Sequence, residues 1–379
     1  MSGFFLSPRI AWGTGALEQL SGLGLRHALV LVDPAVARKD GQRRVVEELA
    51  KSDTKTDLEV LADAPHAVLA VDRLVERVRP TAPDGVVAVG GGRTIDAAKA
   101  VRLRLTYPDA VLSHVPLWLA TPPTPSPLLV ALPTTSGSGA EASWAADLWD
   151  AEGAPFEVAD RSLVPDWAMV DPALAASLSV DRVLDGAAET LASATEAFLS
   201  AWANPFSDAL AFDAVTTVVQ RLPHALRWSD DPEARAALHY AATSAGLATS
   251  NAQRGLAHAL ARALEPATGL AYGRLLGIAL PAVLDFDHPS ARDRLETLGQ
   301  RALSREESGS VPFALRVRRM FDQLHFPATV RAAGVPLDRW TEERAVAVAR
   351  TVRSPAVLAN PRVPSAAEVG QLLDAVVGP

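Results

Sequence analysis

Cysteine is absent from all 379 residues. That excludes disulfides, thiolate zinc sites, iron–sulfur clusters and a cysteine nucleophile. Lysine occurs only at positions 39, 51, 55 and 99, within a total of 36 lysines and arginines, a usage that reads as the codon bias of a GC-rich genome. The formal net charge is −8 and no basic block interrupts it, so a nucleic-acid partner is not expected. No run approaches the ~18 apolar residues of a membrane span. The opening "MSGFFLSPRIAWGTG" has neither the basic n-region nor the apolar h-region of a signal peptide. The expected location is therefore the cytoplasm.

What is present describes a globular chain: 49% hydrophobic and 21% charged residues. The length suits two domains, with a core large enough to need no structural metal. The first half alternates buried-strand and helix patterns. "HALVLVD" (27–33) is an apolar run ending in Asp33, and "GQRRVVEELAKS" (41–52) has helical spacing. "GVVAVGGG" (85–92) runs into glycines, "TIDAAKAVRLRL" (94–105) is helical, and "PLLVALPTT" (127–135) is a third strand. Strands of this kind separated by helices predict an α/β fold with a parallel, Rossmann-like sheet covered on both faces. The proline-rich segment 116–127 reads as a loop before the third strand. Strand patterns end after 164–179, and alanine-rich helical stretches follow at 181–202, 205–226, 231–250, 254–264, 273–285, 290–304 and 311–324. The expected organisation is an α/β dinucleotide-binding domain over 1–176 and an all-α domain over 177–379.

Two loops carry chemistry. In "VAVGGGRTIDAAKA" (87–100), Gly90, Gly91 and Gly92 let backbone approach a diphosphate, and the following helix start offers free N–H groups. Thr94 is placed to cap that helix and Asp96 in its first turn. The alternative is a tight strand-to-helix turn. In "LPTTSGSGAEAS" (132–143), Thr134, Thr135, Ser136 and Ser138 present hydroxyls before an expected helix, alternatively as a polar turn. Two such loops at the ends of strands in one sheet point to a ligand at the carboxyl edge.

These motifs resemble the iron-containing alcohol dehydrogenase family, with its dehydroquinate synthase-like fold. Gly90–Gly92 followed by Thr94, Asp96 and Lys99 match its glycine motif, and Pro133 to Glu141 match its P-T-T-small-G-small-G-small-E run. "SPRIAWGTGALEQL" resembles its N-terminal hairpin, and "LVPDWAMVDPAL" its link to the helical half. The resemblance covers almost the whole chain. It implies NAD or NADP bound between two domains, with Asp33 near the adenosine ribose. A carboxylate there accepts from two ribose hydroxyls and repels a 2′-phosphate, favouring NAD. The alternative for Asp33 is a capping or turn aspartate.

The resemblance also marks what is missing. Most members hold a divalent metal with one aspartate and three histidines, beginning in a D-A-x-x-H-A-x-E pattern. Here that stretch is "ETLASATE" (189–196), so Glu189 and Ser193 occupy the first two ligand positions. The third is His258 and the fourth, fourteen residues on, is Tyr272. A further histidine position near the nicotinamide is Arg262, and a lysine position is Pro155. Losing two imidazoles predicts a chain with no metal. In its place His258 is expected as general base, Tyr272 as hydrogen-bond donor to the developing oxyanion, Glu189 as the residue that orients His258 or accepts the proton, and Arg262 as the partner of a substrate carboxylate.

These readings imply a metal-independent NAD(P)-dependent oxidoreductase acting on CH–OH. A 3-hydroxy acid substrate would give a 3-oxo acid that loses carbon dioxide, as for the C-terminal threonine of a ribosomal peptide handled by daptide-type dehydrogenases. The alternatives are an inert cofactor-binding scaffold subunit of a biosynthetic complex, a carbonyl reductase of the maleylacetate reductase type, and an elimination of the dehydroquinate synthase type. Expected partners are a small molecule or peptide, and either further copies of the chain or a partner biosynthetic enzyme.

Overall fold

The computed structural model describes residues 8–379 apart from Asp40, Asp63, Pro65, 116–124, 228–230 and 303–310. The chain forms two compact units, one extending to Leu178 and the other from Ser179 to Pro379.

The first unit is built on a six-stranded sheet. Its strands are β1 (Arg9–Trp12), β2 (His27–Val32), β3 (Lys55–Val60), β4 (Gly85–Gly90), β5 (Leu128–Pro133) and β8 (Trp167–Val170), in the order β1-β8-β5-β4-β2-β3 and parallel throughout. Between β5 and β8 a separate antiparallel pair forms from β6 (Ala145–Trp149) and β7 (Pro155–Ala159). Beyond His27 at the start of β2, the central strands carry no polar side chain, because both faces are covered. Leu29, Leu31, Val86, Ala88, Leu129 and Ala131 pack on one side with α3 (Val68–Val78) and α4 (Gly92–Thr106). Ala28, Val30, Val32, Val87, Val89 and Val130 pack on the other with Val45 and Leu49 of α2 (Arg43–Ala50). Period-2 alternation thus divides one continuous apolar run between two cores. Two one-turn helices, α1 (Pro34–Ala37) and α5 (Pro172–Ala175), follow β2 and β8, each capped by the aspartate before its proline, Asp33 and Asp171.

The parallel sheet with a helical second half is as expected, but several elements differ. Of the hairpin expected at 7–20, only β1 is formed among the described residues, and it pairs in parallel with β8. The helix expected after Ser138 is a single 3-10 turn, Ala140–Ala142, leading into β6. The proline-rich 116–124 lies outside the described residues, and 125–127 has no regular structure.

The second unit is helical: α6 (Val180–Leu199), α7 (Pro205–Arg227), α8 (Pro232–Ala252), α9 (Leu256–Thr268), α10 (Tyr272–Ala302), α11 (Phe313–Gln323), α12 (Trp340–Arg353), α13 (Ala356–Ala359) and α14 (Ala366–Val377). The two helices expected at 273–285 and 290–304 are both present within α10, run together across a kink at Ala291, two residues beyond Pro289. The centre of the unit is α6, packed against α7, α8 and α10, and nearly every residue from Val183 to Leu199 is buried. Its small side chains allow this: Ala187, Ala188, Ala192, Ala194 and Ala197 are at most 1% exposed. Among the described residues no helix is long and apolar enough to cross a membrane.

Candidate functional site

In the first unit the chain leaves β2 towards β3 on one side, then crosses back to β4 and continues through β5 to β8 on the other. The order therefore reverses between β2 and β4, and the carboxyl ends of those strands are where an open α/β sheet binds ligands. Asp33 follows β2, and Gly90–Gly92 end β4 and begin α4. The Asp33 N–H donates to Val89 O at 3.0 Å, tying the two strand ends together.

None of the three glycines has a positive φ. They are required by close approach. A Cβ on Gly90 would lie 2.5 Å from Thr94 Oγ1, one on Gly91 3.0 Å from Thr135 Oγ1, and one on Gly92 2.8 Å from Ser138 Oγ. The glycine loop and the hydroxyl loop are thus packed on each other, held also by Thr134 N–H donating to Gly90 O at 3.0 Å. Thr134 is buried, whereas Thr135 and Ser138 keep partial exposure. Gly91 is the N-cap of α4 and supplies no side-chain cap, which leaves the helix start open to an anion.

Two expected roles change here. Thr94 does not cap α4; it lies inside the helix, fully buried, and its hydroxyl donates to Asp33 Oδ2 at 3.4 Å. Asp96 lies beyond the first turn of α4 and is buried, accepting from the Asp147 N–H at 3.2 Å. Lys99, also fully buried, donates to Ser143 Oγ at 2.9 Å and Ala145 O at 2.7 Å, with Asp96 Oδ1 3.5 Å away. The motif's Asp and Lys therefore anchor α4 to the start of β6. Asp33 does cap α1, its Oδ1 accepting from Ala35 N–H at 2.7 Å, and it remains partly exposed. Capping leaves lone pairs for other donors, so the two readings of Asp33 are compatible.

In the second unit the candidate residues gather on α6, α9 and the start of α10. His258 is 2% exposed. Its Nδ1 bonds Glu196 Oε2, and its Nε2 lies 3.1 Å from Ser193 Oγ. Glu196 also accepts the backbone N–H groups of Gly255, at 2.9 Å, and Ala257. With those donors converging on it, Glu196 is a carboxylate acting as acceptor. In the neutral ring this contact puts the hydrogen on Nδ1 and leaves Nε2 to accept from the Ser193 hydroxyl. Glu196 and Asn360, whose Oδ1 accepts from Leu256 N–H at 3.2 Å, together cap α9, whose own N-cap is Gly255. A negative charge at a helix N-terminus is favourable. The network continues through Asn360 Nδ2, which donates to Asp287 Oδ1 at 2.6 Å. Burial pushes the Asp287 carboxyl up to about 8, and the nearby Glu196 charge acts in the same direction.

The expected partner of His258 was Glu189; the structure gives that place to Glu196, which lies 3 residues after Ser193 on the same face of α6. Glu189 is half-buried one turn before Ser193, beside the start of α10. There a Cβ on Gly273 would lie 2.2 Å from Asp185 O and 3.2 Å from Glu189 Cβ, so α10 begins directly on the α6 backbone. Arg274 pairs with Asp185 at the same junction. This seats Tyr272 edge-on to the His258 ring, centroids 6.0 Å apart. Its expected role changes too: the hydroxyl donates to the His258 carbonyl at 3.3 Å rather than standing ready for an oxyanion. Arg262, one turn after His258 on α9, is 8% exposed.

Sequence comparison matches residues 7–172 to the iron-containing alcohol dehydrogenase model and 184–377 to the C-terminal model of Fe-containing alcohol dehydrogenases. A probable alcohol dehydrogenase EutG of Salmonella typhimurium is 32% identical over 314 residues, covering 80% of this chain and 78% of that one. An NADPH-dependent butanol dehydrogenase of Clostridium saccharobutylicum is 26% identical over 382 residues, 99% and 98% of the two chains. The structure of an iron-containing alcohol dehydrogenase from Thermococcus thioreducens superposes with a TM-score of 0.88 at 27% identity, covering 98% of each chain.

Proposed function

The chain belongs to the iron-containing alcohol dehydrogenase family, whose members are dehydrogenases acting on CH–OH groups, and on that premise we propose that it oxidises an alcohol to a carbonyl with NAD and manages the proton with side chains instead of a metal. The observation that carries this reading is the Glu196–His258–Ser193 hydrogen-bonded chain, standing where the resemblance locates a metal.

The donor set does not fit a divalent iron. Both ring nitrogens of His258 are engaged within the protein, and the Tyr272 hydroxyl donates to a carbonyl. Serine and a protonated phenol are feeble ligands, the phenol having an ordinary pKa of ~10. Among the described residues no three His, Cys, Asp or Glu side chains gather into a metal cage.

The residues at the β2/β4 strand ends do fit a dinucleotide. Gly91 and the uncapped start of α4 suit a diphosphate, with Thr134, Thr135 and Ser138 as hydroxyl partners. Asp33 suits ribose hydroxyls and opposes a 2′-phosphate, which favours NAD although one relative is NADPH-dependent. Bound there, an oxidised nicotinamide supplies the hydride acceptor. His258 is the final base for the alcohol proton. Arg262, a buried guanidinium one turn from His258, suits a substrate carboxylate. A 3-hydroxy acid then becomes a 3-oxo acid, which releases carbon dioxide without a metal; a peptide ending in threonine is one such substrate.

The test is NAD reduction with 3-hydroxy acids and threonine-ending peptides, followed by variants. His258→Ala is expected to lower turnover ~10²–10⁴-fold with NAD binding retained. Arg262→Ala is expected to raise KM for the acid far more than for its amide. Full turnover in His258→Ala would remove the histidine from the reaction, and equal KM changes would remove the acid substrate. An inert scaffold predicts no NAD reduction by the parent with any of these compounds.

A further inference from the structure

We propose that Ser193 is itself a catalytic residue, relaying the substrate's hydroxyl proton to His258, and that Glu196 is the positioning residue that holds the His258 ring for the relay; the inference rests on the dehydrogenase reading above. By the resemblance, Ser193 stands at a position where most members of the family carry an imidazole. Its Oγ lies 3.1 Å from His258 Nε2, within range for proton transfer. The other nitrogen is committed: Nδ1–H donates to Glu196, whose carboxylate is fixed by the Gly255 and Ala257 N–H groups. Rotation of the ring would break that bond and leave a buried carboxylate short of a donor. A substrate hydroxyl therefore meets Nε2 only by way of Ser193 or by displacing it. Ser193 and His258 are 4% and 2% exposed, so the transfer occurs out of bulk water.

The step balances as follows. The substrate O–H gives its proton to Ser193 Oγ as the Ser193 hydroxyl proton passes to His258 Nε2. The substrate C–H leaves with its electron pair as a hydride to the oxidised nicotinamide. The products are a carbonyl, a reduced dinucleotide and an imidazolium whose Nδ1–H faces the Glu196 carboxylate. Carbonyl reduction is the same sequence reversed.

The experiment compares steady-state kinetics and NAD affinity by calorimetry for the parent, Ser193→Ala, Ser193→Thr and Glu196→Gln. Ser193→Ala is expected to lower kcat by ~10²-fold or more, with KM and NAD affinity little changed. Ser193→Thr keeps a hydroxyl at the same atom and is expected to recover most of that loss. Glu196→Gln is expected to lower kcat by roughly 10-fold or more with KM and NAD affinity little changed, because the ring loses the carboxylate that fixes it; a residue that only supports the fold would lower Tm and leave kcat in place. If Ser193→Ala turns over at the parental rate, the substrate reaches His258 directly and the relay is wrong. A Glu196→Gln variant with the parental kcat removes the positioning role. A parent that reduces no NAD with any alcohol overturns the dehydrogenase reading itself, and the relay with it.

Discussion

Gly255→Ala is the smallest change that reaches the proposed proton path without touching its members. Gly255 has φ −118°, open to any residue, so the backbone carries no penalty. The new methyl would meet Glu196 Cδ and Oε1 at 2.9 Å and Asn360 Oδ1 at 3.1 Å. Those atoms are the ends of side chains, and they can move by a few tenths of an ångström. Moving Glu196 weakens three bonds together: those from Gly255 N–H, Ala257 N–H and His258 Nδ1. Bonds to a charged group contribute about 1.5–3 kcal/mol each when intact. Partial retention sets the expected loss at about 1–3 kcal/mol, which lowers Tm by a few degrees for a chain of this size. A fraction of an ångström of misplacement at His258 is expected to lower kcat by roughly 10–100-fold. Thermal denaturation and NAD-coupled kinetics measure the two effects. A variant with parental kcat and a lowered Tm would show that the Glu196–His258 bond supports the fold and not the chemistry.

Asp33→Gly is expected to weaken NAD binding and relax discrimination against NADP, measured by calorimetry with both, and to cost only about a few tenths of a kcal/mol from the changed α1 cap; a parent that binds NADP better already contradicts the assignment of Asp33. Stability should also depend on Asp287. Its folded pKa of about 8 lies above the unfolded carboxylate value near 4, so the folded chain holds an extra proton between them. Its contribution is full below about pH 4 and is lost as pH rises through about 8. Urea denaturation should show the parent losing stability relative to Asp287→Asn over that range, and parallel curves would mean that Asp287 ionises normally. Replacing Ser193 and Tyr272 together by histidine is expected to create a divalent-metal site with Glu189 and His258, read by elemental analysis; a double variant as metal-free as the parent would mean that the missing imidazoles are not what governs metal binding.

The fold was legible where burial is two-sided. β2, β4 and β5 are continuous apolar runs because both faces are covered. β3, "KTDLEV", lies at the sheet edge with none of its residues buried, so its charges conceal it. β6 and β7 form only by pairing with each other, which neither stretch announces alone. The site was partly legible. Spacing on α9 placed His258 and Arg262 on one face. Glu196 stood in the recognised pattern as a marker, yet its partners lie 59–62 residues away at the start of α9, beyond any local pattern. A carboxylate among fully buried alanines was the available signal, since such a group needs partners. The glycine loop was located correctly, but its packing against Thr135 and Ser138 is a long-range contact that spacing does not encode.

The account rests most heavily on side chains replacing a metal at His258. The direct measurement is alcohol-dependent NAD reduction by protein treated with a strong chelator, with metal content determined on the same sample. The account predicts no stoichiometric iron, zinc or nickel and an unchanged rate. One tightly held metal per chain, with activity lost on chelation and restored by the ion, would contradict it.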